Sequence, residues 1–253
     1  MDKRFDFDAV IDRRGTNSIK FDFAPEHGMP GDVLPLWVAD MDFRAPEGAL
    51  EAVRRCAGHG IFGYSDAKAD YYEAVAAWFT RRFGWTPEAK WLVKTPGVVY
   101  ALATAVRALT RPGDAVVIQP PVYQPFFDVV KLNGRRVAES PLVLKNGHYE
   151  IDFEDFENVI LRQNAKMFIL CSPHNPVGRV WSVPELQRLG EICARHEVIV
   201  VSDEIHCDFT HPGYVHTPFI KAVPGMAATR SASRNFSQNS SLVIPVLLML
   251  GKA

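Results

Sequence analysis

Apolar positions along the chain follow two spacings. Over AKADYYEAVAAWFTRRF, residues 67–83, they recur every three to four positions until Gly84, the pattern of an amphipathic helix with a glycine stop. The same spacing links Val98, Val99, Leu102, Ala105, Val106 and Leu109, and Pro112-Gly113 ends it. Helices are also predicted over 46–57, over about 124–133, and over VPELQRLGEICARHE, which has proline in its first turn. Between them lie the short apolar runs AVVIQ, KMFILC and VIVVS, and RRVAESPLVL makes a further strand. Runs apolar on both faces are strands of a covered, parallel sheet. Helices alternating with such strands predict an α/β fold. Residues 1–46 are irregular and rich in Asp, Phe, Gly and Pro, and the chain changes character after residue 222, first Ser- and Asn-rich, then apolar.

Composition narrows the function classes. With 253 residues, 47% hydrophobic and 23% charged, the chain can bury a substantial core. A net charge of -1 supplies no basic field, so no nucleic-acid partner is expected. The N-terminus lacks the apolar stretch of a secretory signal, and LVIPVLLML is too short to span a bilayer. Cys56, Cys171, Cys193 and Cys207 form no C-x-x-C pair. They read as small buried residues of a reducing compartment, with no metal site, and the cytoplasm is the expected location.

Candidate chemistry sits where the strands end. Ligands of open α/β sheets bind beyond the carboxyl ends of the strands. Tyr123 follows AVVIQPP, Asn175 follows MFILCSPH, and Asp203 follows VIVVS. Gly97 in TPGVV precedes a helix, whose N-terminal N–H groups form a natural phosphate seat. Each has a plainer reading: a packed tyrosine, turn chemistry before proline, a capping acid, a simple turn. Together, an aromatic face, an amide, an acid and an anion-binding turn suit a flat, phosphorylated heteroaromatic with a ring nitrogen.

TPGVVYAL, PPVYQPF, CSPHNPVGRVW and VSDEIHCDF resemble, in that order, the signatures of the class I/II aminotransferases. These have fold type I and use pyridoxal 5′-phosphate (PLP). LPLWVADMDF, FGYS and SDEIHCDF resemble more narrowly the cystathionine beta-lyase-like subgroup of C-S lyases, and the resemblance runs from about residue 5 to about residue 222. It implies that Asp203 binds the pyridine nitrogen, Asn175 donates to the ring's phenolic oxygen, and Tyr123 stacks on the ring. Gly97, Val98 and Val99 would seat the phosphate. His206 occupies the place of a tyrosine that bonds the phenolic oxygen in many aminotransferases, or else packs beneath the site. Tyr64 would reach the phosphate site of a neighbouring subunit, which implies a homodimer. Trp37, Val38, Ala39 and Asp40 would line the substrate side. The implied reaction is β-elimination from cysteine S-conjugates, giving thiol, pyruvate and ammonia, with transamination as the alternative.

One motif departs from the family pattern. A lysine within a sequence close to S-K-T-F-N should form the Schiff base with PLP. Here the matching stretch is SASRNFS, with Arg234 at that place. Arginine stays protonated and cannot condense with an aldehyde. Lys221 and Lys252, the lysines after Asp203, lack the context. The expected organisation is an N-terminal segment over 1–46, contributing to a small domain and lining the active site. Residues 47–253 would form a truncated PLP-binding large domain without the C-terminal small domain, so a non-catalytic remnant is a further alternative.

Overall fold

The computed structural model describes residues 5–224 and 243–246. The chain divides into two compact units, Met1–Asp66 and Ala67–Ala253. In the first, α1 covers Ile19–Asp22, a 3-10 turn covers Pro25–His27, and α2 covers Glu47–Gly58. The first two interrupt a stretch whose composition predicted no regular structure. Both are a single turn long, below what periodicity can register.

The second unit is built on a sheet. Its elements are α3 (Ala69–Phe83), α4 (Val98–Leu109), β1 (Ala115–Ile118), α5 (Pro125–Leu132) and β2 (Arg136–Glu139). They continue with β3 (Val143–Lys145), β4 (His148–Glu150), α6 (Phe153–Gln163), β5 (Ala165–Cys171), α7 (Val183–Arg195), β6 (Ile199–Asp203), α8 (Phe219–Ala222) and β7 (Val243–Val246). Five strands lie in the order β2-β1-β5-β6-β7, and every pairing is parallel. This is the α/β architecture that the alternating pattern predicted. The order reverses between β1 and β5, the switch point at which such sheets leave a crevice.

Period-two alternation sends the strands into two cores. Val116, Ile118, Met167, Ile169, Cys171 and Val201 pack with Leu102 and Val106 of α4 and Phe126 of α5. Val117, Phe168, Leu170 and Val200 face the opposite layer with Phe156 of α6, Leu186 and Leu189 of α7, and Phe219 of α8. The helices start where local chemistry permits. Asp152 caps α6 by accepting from the N–H groups of Glu154 and Asp155 at 3.1 and 3.0 Å. Ser182 and Glu185 form a reciprocal capping box at α7.

RRVAESPLVL does not form the single strand its composition suggests. It breaks at Ser140-Pro141, and the second half pairs antiparallel with β4 in a separate two-stranded ribbon. Proline has no N–H for a ladder. Beyond it, Asn146 and Gly147 take positive φ values of 49° and 79°, the geometry of a tight hairpin turn. The Asn-Gly pair carried that signal in the sequence.

Candidate cofactor and active site

Asp203 ends β6 and is buried. Residues alternate along a strand, so Asp203 shares the face of Val201, the face that α4 covers. Its backbone oxygen accepts from the Ser172 N–H at 2.9 Å, which ties the end of β6 to the loop after β5. One carboxylate oxygen, Oδ1, accepts from the Ile205 N–H at 3.2 Å. The second makes no hydrogen bond among the described residues. Burial pushes the Asp203 carboxyl up to about 6, and the neighbouring Glu204 charge works in the same direction, against the Ile205 N–H. A carboxyl so placed suits a cationic partner, such as a protonated ring nitrogen.

The loops after β1 and β5 are joined across the switch point. The carbonyl of Pro121 can only accept, so the contact of 3.0 Å to His174 Nε2 places the ring proton on that nitrogen. Burial lowers His174 to about 4, so the ring is neutral, and Nδ1 is buried with no hydrogen-bond partner among the described residues. Tyr123, two residues past Pro121, is 40% exposed, and its ring meets Phe126 edge to face at 6.1 Å. Asn175 donates its N–H to Cys171 Sγ at 3.4 Å. Its side-chain amide makes no hydrogen bond among the described residues and remains available to a ligand. Cys171 is an inert packing thiol, since burial pushes it up to about 12.

Gly97 is the N-cap of α4. The helix leads through a five-residue connection into β1 and packs along the sheet. It therefore runs against the strands, with its N-terminus at their carboxyl ends. No side chain caps it, so the first N–H groups, including those of Val98 and Val99, stay open to an anion. A Cβ at Gly97 would meet nothing within 4 Å, and its φ of 164° is ordinary extended backbone. The glycine thus leaves room for a ligand. The buried acid with a spare oxygen, the free amide, the half-exposed ring and the uncapped helix all fit PLP.

His206 is half-buried, and burial lowers its imidazole below the usual range. Its ring makes no hydrogen bond among the described residues. Lys221 donates from Nζ to the Phe83 carbonyl at 2.7 Å, at the C-terminus of α3. Arg234 and Lys252 lie outside the described residues.

The remaining predicted residues belong to the first unit. The Trp37 indole N–H donates to the Lys20 carbonyl at 3.1 Å, and its ring meets His27 edge to face. Asp40 pairs with Arg13, whose hydrogen bond holds that carboxyl below its ordinary range. Lys20 donates to the Asp40 carbonyl at 3.0 Å and to Asp42 at 2.7 Å. These bonds fix the segment Trp37-Val38-Ala39-Asp40 within its own unit. Tyr64 is fully exposed.

Sequence reasoning gave no role to Glu204. It is buried beside Asp203 on the other face, and three donors reach its carboxylate. Ser202 Oγ and the Phe219 N–H each bond Oε1 at 2.8 Å, and His216 Nε2 lies 3.2 Å from Oε2. A second acid inside an apolar run was the available signal. Among the described residues no group of three or more His, Cys, Asp or Glu could hold a metal. No helix there is long and apolar enough to cross a membrane.

An open parallel sheet with an acid, an amide and an aromatic beyond its carboxyl ends, on an uncapped helix, defines an α/β domain suited to a flat anionic ligand. The chain belongs to the family described as Aminotransferase class I and II, whose model matches residues 31–239. It is 45% identical over 254 residues to Cystathionine beta-lyase PatB of Bacillus subtilis, covering 97% of this chain and 66% of that protein. It is 34% identical to Protein MalY of Escherichia coli, covering 92% of this chain and 60% of that protein. The structure of cystalysin from Treponema denticola, which contains PLP, superposes with a TM-score of 0.82 at 38% identity. That match covers 88% of this chain and 57% of cystalysin. A PLP-bound C-S lyase from Staphylococcus hominis matches with a TM-score of 0.81 at 39% identity, over 87% of this chain and 56% of that one. The chain thus spans less than two thirds of the length of these relatives.

Proposed function

We propose that this chain carries the PLP seat of a C-S β-lyase acting on cysteine S-conjugates such as cystathionine. The supporting observation is Asp203, a buried carboxyl at a strand end with one oxygen unbonded among the described residues. Bound PLP would supply an electron sink that lets the substrate's α-proton leave and its Cβ–S bond break. Asp203 would hold the ring nitrogen protonated, Asn175 would donate to the phenolic oxygen, and Tyr123 would cover one ring face. Gly97, Val98 and Val99 bind the phosphate at the N-terminus of α4. His206 would either bond the phenolic oxygen or pack beneath the site. Trp37, Val38, Ala39 and Asp40 line the substrate side, and a homodimer brings Tyr64, fully exposed here, to the partner's phosphate. Four free cysteines accord with a reducing, cytoplasmic setting.

A second reading has a specific observation in its favour. Arg234 stands where the family motif has lysine, and Lys221 is tied to Phe83. A chain without an amine at that position would bind PLP without turnover, since nothing there would carry the cofactor or move the proton. Transamination needs the same lysine.

The two readings separate in one experiment. The purified chain is titrated with PLP by absorbance and tryptophan fluorescence, then given cystathionine, and pyruvate is measured. Saturable binding that is lost in Asp203→Asn supports the seat, and an absence of binding refutes it. Pyruvate release identifies the lyase; binding without pyruvate identifies the silent form.

A further inference from the structure

The carboxyl end of β6 carries two adjacent buried acids in opposite circumstances. Asp203 receives one backbone N–H. Glu204 receives a hydroxyl, a backbone N–H and an imidazole, the last two from residues 12 and 15 positions further on. A buried carboxylate persists only where donors replace its water, and Glu204 has a full set. The segment that supplies them is itself immobilised. Phe219 is wholly buried, the His216 ring meets Phe83 edge to face at 5.6 Å, and Lys221 bonds the Phe83 carbonyl. Between the acid and its partners, Asp208 accepts from Trp78 Nε1 and Arg82 Nε, each at 3.0 Å. The whole loop after β6 is thereby fastened to α3, and Glu204 is its attachment to the strand.

We infer that the buried Glu204–His216 pair is a positioning device for Asp203: it clamps the end of β6 to residues 216–219 and so fixes where Asp203's second oxygen faces the cofactor. The alternation of the strand makes this possible. Ser202 and Phe219 bond the Glu204 carboxylate on the α7–α8 side, and Asp203, on the α4 side, has its carbonyl held by the Ser172 N–H. The inference rests on the PLP-seat reading only for what Asp203 finally touches; the clamp belongs to the cofactor-free chain. Glu204 and His216 touch neither cofactor nor substrate and act through Asp203.

The test uses the full chain with carbon-13 in its aspartate carboxyls. The Asp203 resonance is assigned by its loss in Asp203→Asn and followed from about pH 4 to about pH 8. Glu204→Gln removes the charge and keeps the shape, whereas Glu204→Ala removes both. His216→Asn and Ser202→Ala each delete one donor, and circular dichroism identifies the variants that fold. Positioning requires the Asp203 midpoint in Glu204→Ala to differ from that in Glu204→Gln by about one pH unit or, should Glu204→Ala not fold, the midpoint in His216→Asn to differ from the parent's by as much. It also requires PLP affinity to fall in those variants on the order of tenfold, the scale on which outer-shell partners act, and to survive in Glu204→Gln. Equal Asp203 midpoints in Glu204→Ala and Glu204→Gln, or in His216→Asn and the parent where Glu204→Ala does not fold, would overturn the inference. PLP uptake by the parent chain, and its loss in Asp203→Asn, judges the cofactor reading separately.

Discussion

Asp203, the last residue of β6, and Glu204, the first beyond it, are equally buried. Only Glu204 has its carboxylate fully bonded. The protein therefore carries an acid prepared for a partner beside an acid that already has several. That contrast sets the pH behaviour of the cofactor-free chain.

Burial raises Asp203 from 3.8 to about 6 in the folded chain. Between those values the folded state holds a proton that the unfolded state has released, so stability falls as pH rises through this window. Two pH units correspond to roughly 3 kcal/mol. Asp203→Asn should abolish that slope and make the cofactor-free chain more stable at neutral pH, while weakening PLP binding. Urea unfolding of both proteins at pH values below and above the window checks the sign. A variant less stable than its parent at neutral pH would contradict the burial argument.

Gly97→Ala should separate folding from binding. The added Cβ meets no protein atom within 4 Å, and the backbone there is extended. Thermal stability should change by less than about 0.5 kcal/mol. PLP affinity should drop at least about tenfold, since the methyl group enters the space a phosphate would occupy. Fluorescence titration with PLP and with inorganic phosphate gives the comparison.

Lys221→Met should act on α3. Its ammonium bonds the carbonyl of Phe83, among the C-terminal carbonyls that a helix leaves without partners. Loss of that bond should cost roughly 0.5–1 kcal/mol at an exposed helix end. The PLP affinity of the variant should match the parent's. Borohydride treatment of the parent with PLP should leave Lys221 unlabelled in peptide mass mapping.

Arg234→Lys restores the residue type of the family motif. The variant should gain a borohydride-stable pyridoxyl label at position 234, where the parent has none. A parent chain labelled at another lysine would show that the amine had moved elsewhere in the sequence.

Much of the fold was legible because its signals are local. The spacing of Val98 to Leu109 announced α4, and the apolar run before Asp203 announced β6, since both elements are defined by what they bury. The break of RRVAESPLVL was harder, because β-branched residues on both sides of Ser140-Pro141 mask a change of sheet. Asp203, Asn175 and Tyr123 were legible as polar residues placed where strands end. The partners of Glu204 were not. His216 and Phe219 meet it across a loop whose path depends on Asp208, Trp78 and Arg82, and no periodicity encodes a contact of that kind. The surroundings of Trp37 were likewise hidden, since the Lys20 carbonyl that receives its indole N–H has no side-chain signature.

The bond from His174 to the Pro121 carbonyl bears on ligand choice. The Nε2–H donates whether or not Nδ1 is protonated, so ordinary changes of acidity leave the bond in place. The turn leading to Tyr123 and the turn leading to Asn175 are then tied at one spacing, so that in the proposed seat a stacking face and an edge donor would keep a fixed relation. A ring bound there would have to satisfy both at once. Under the proposed function, any choice among molecules joined to one ring would fall to segments outside these two turns.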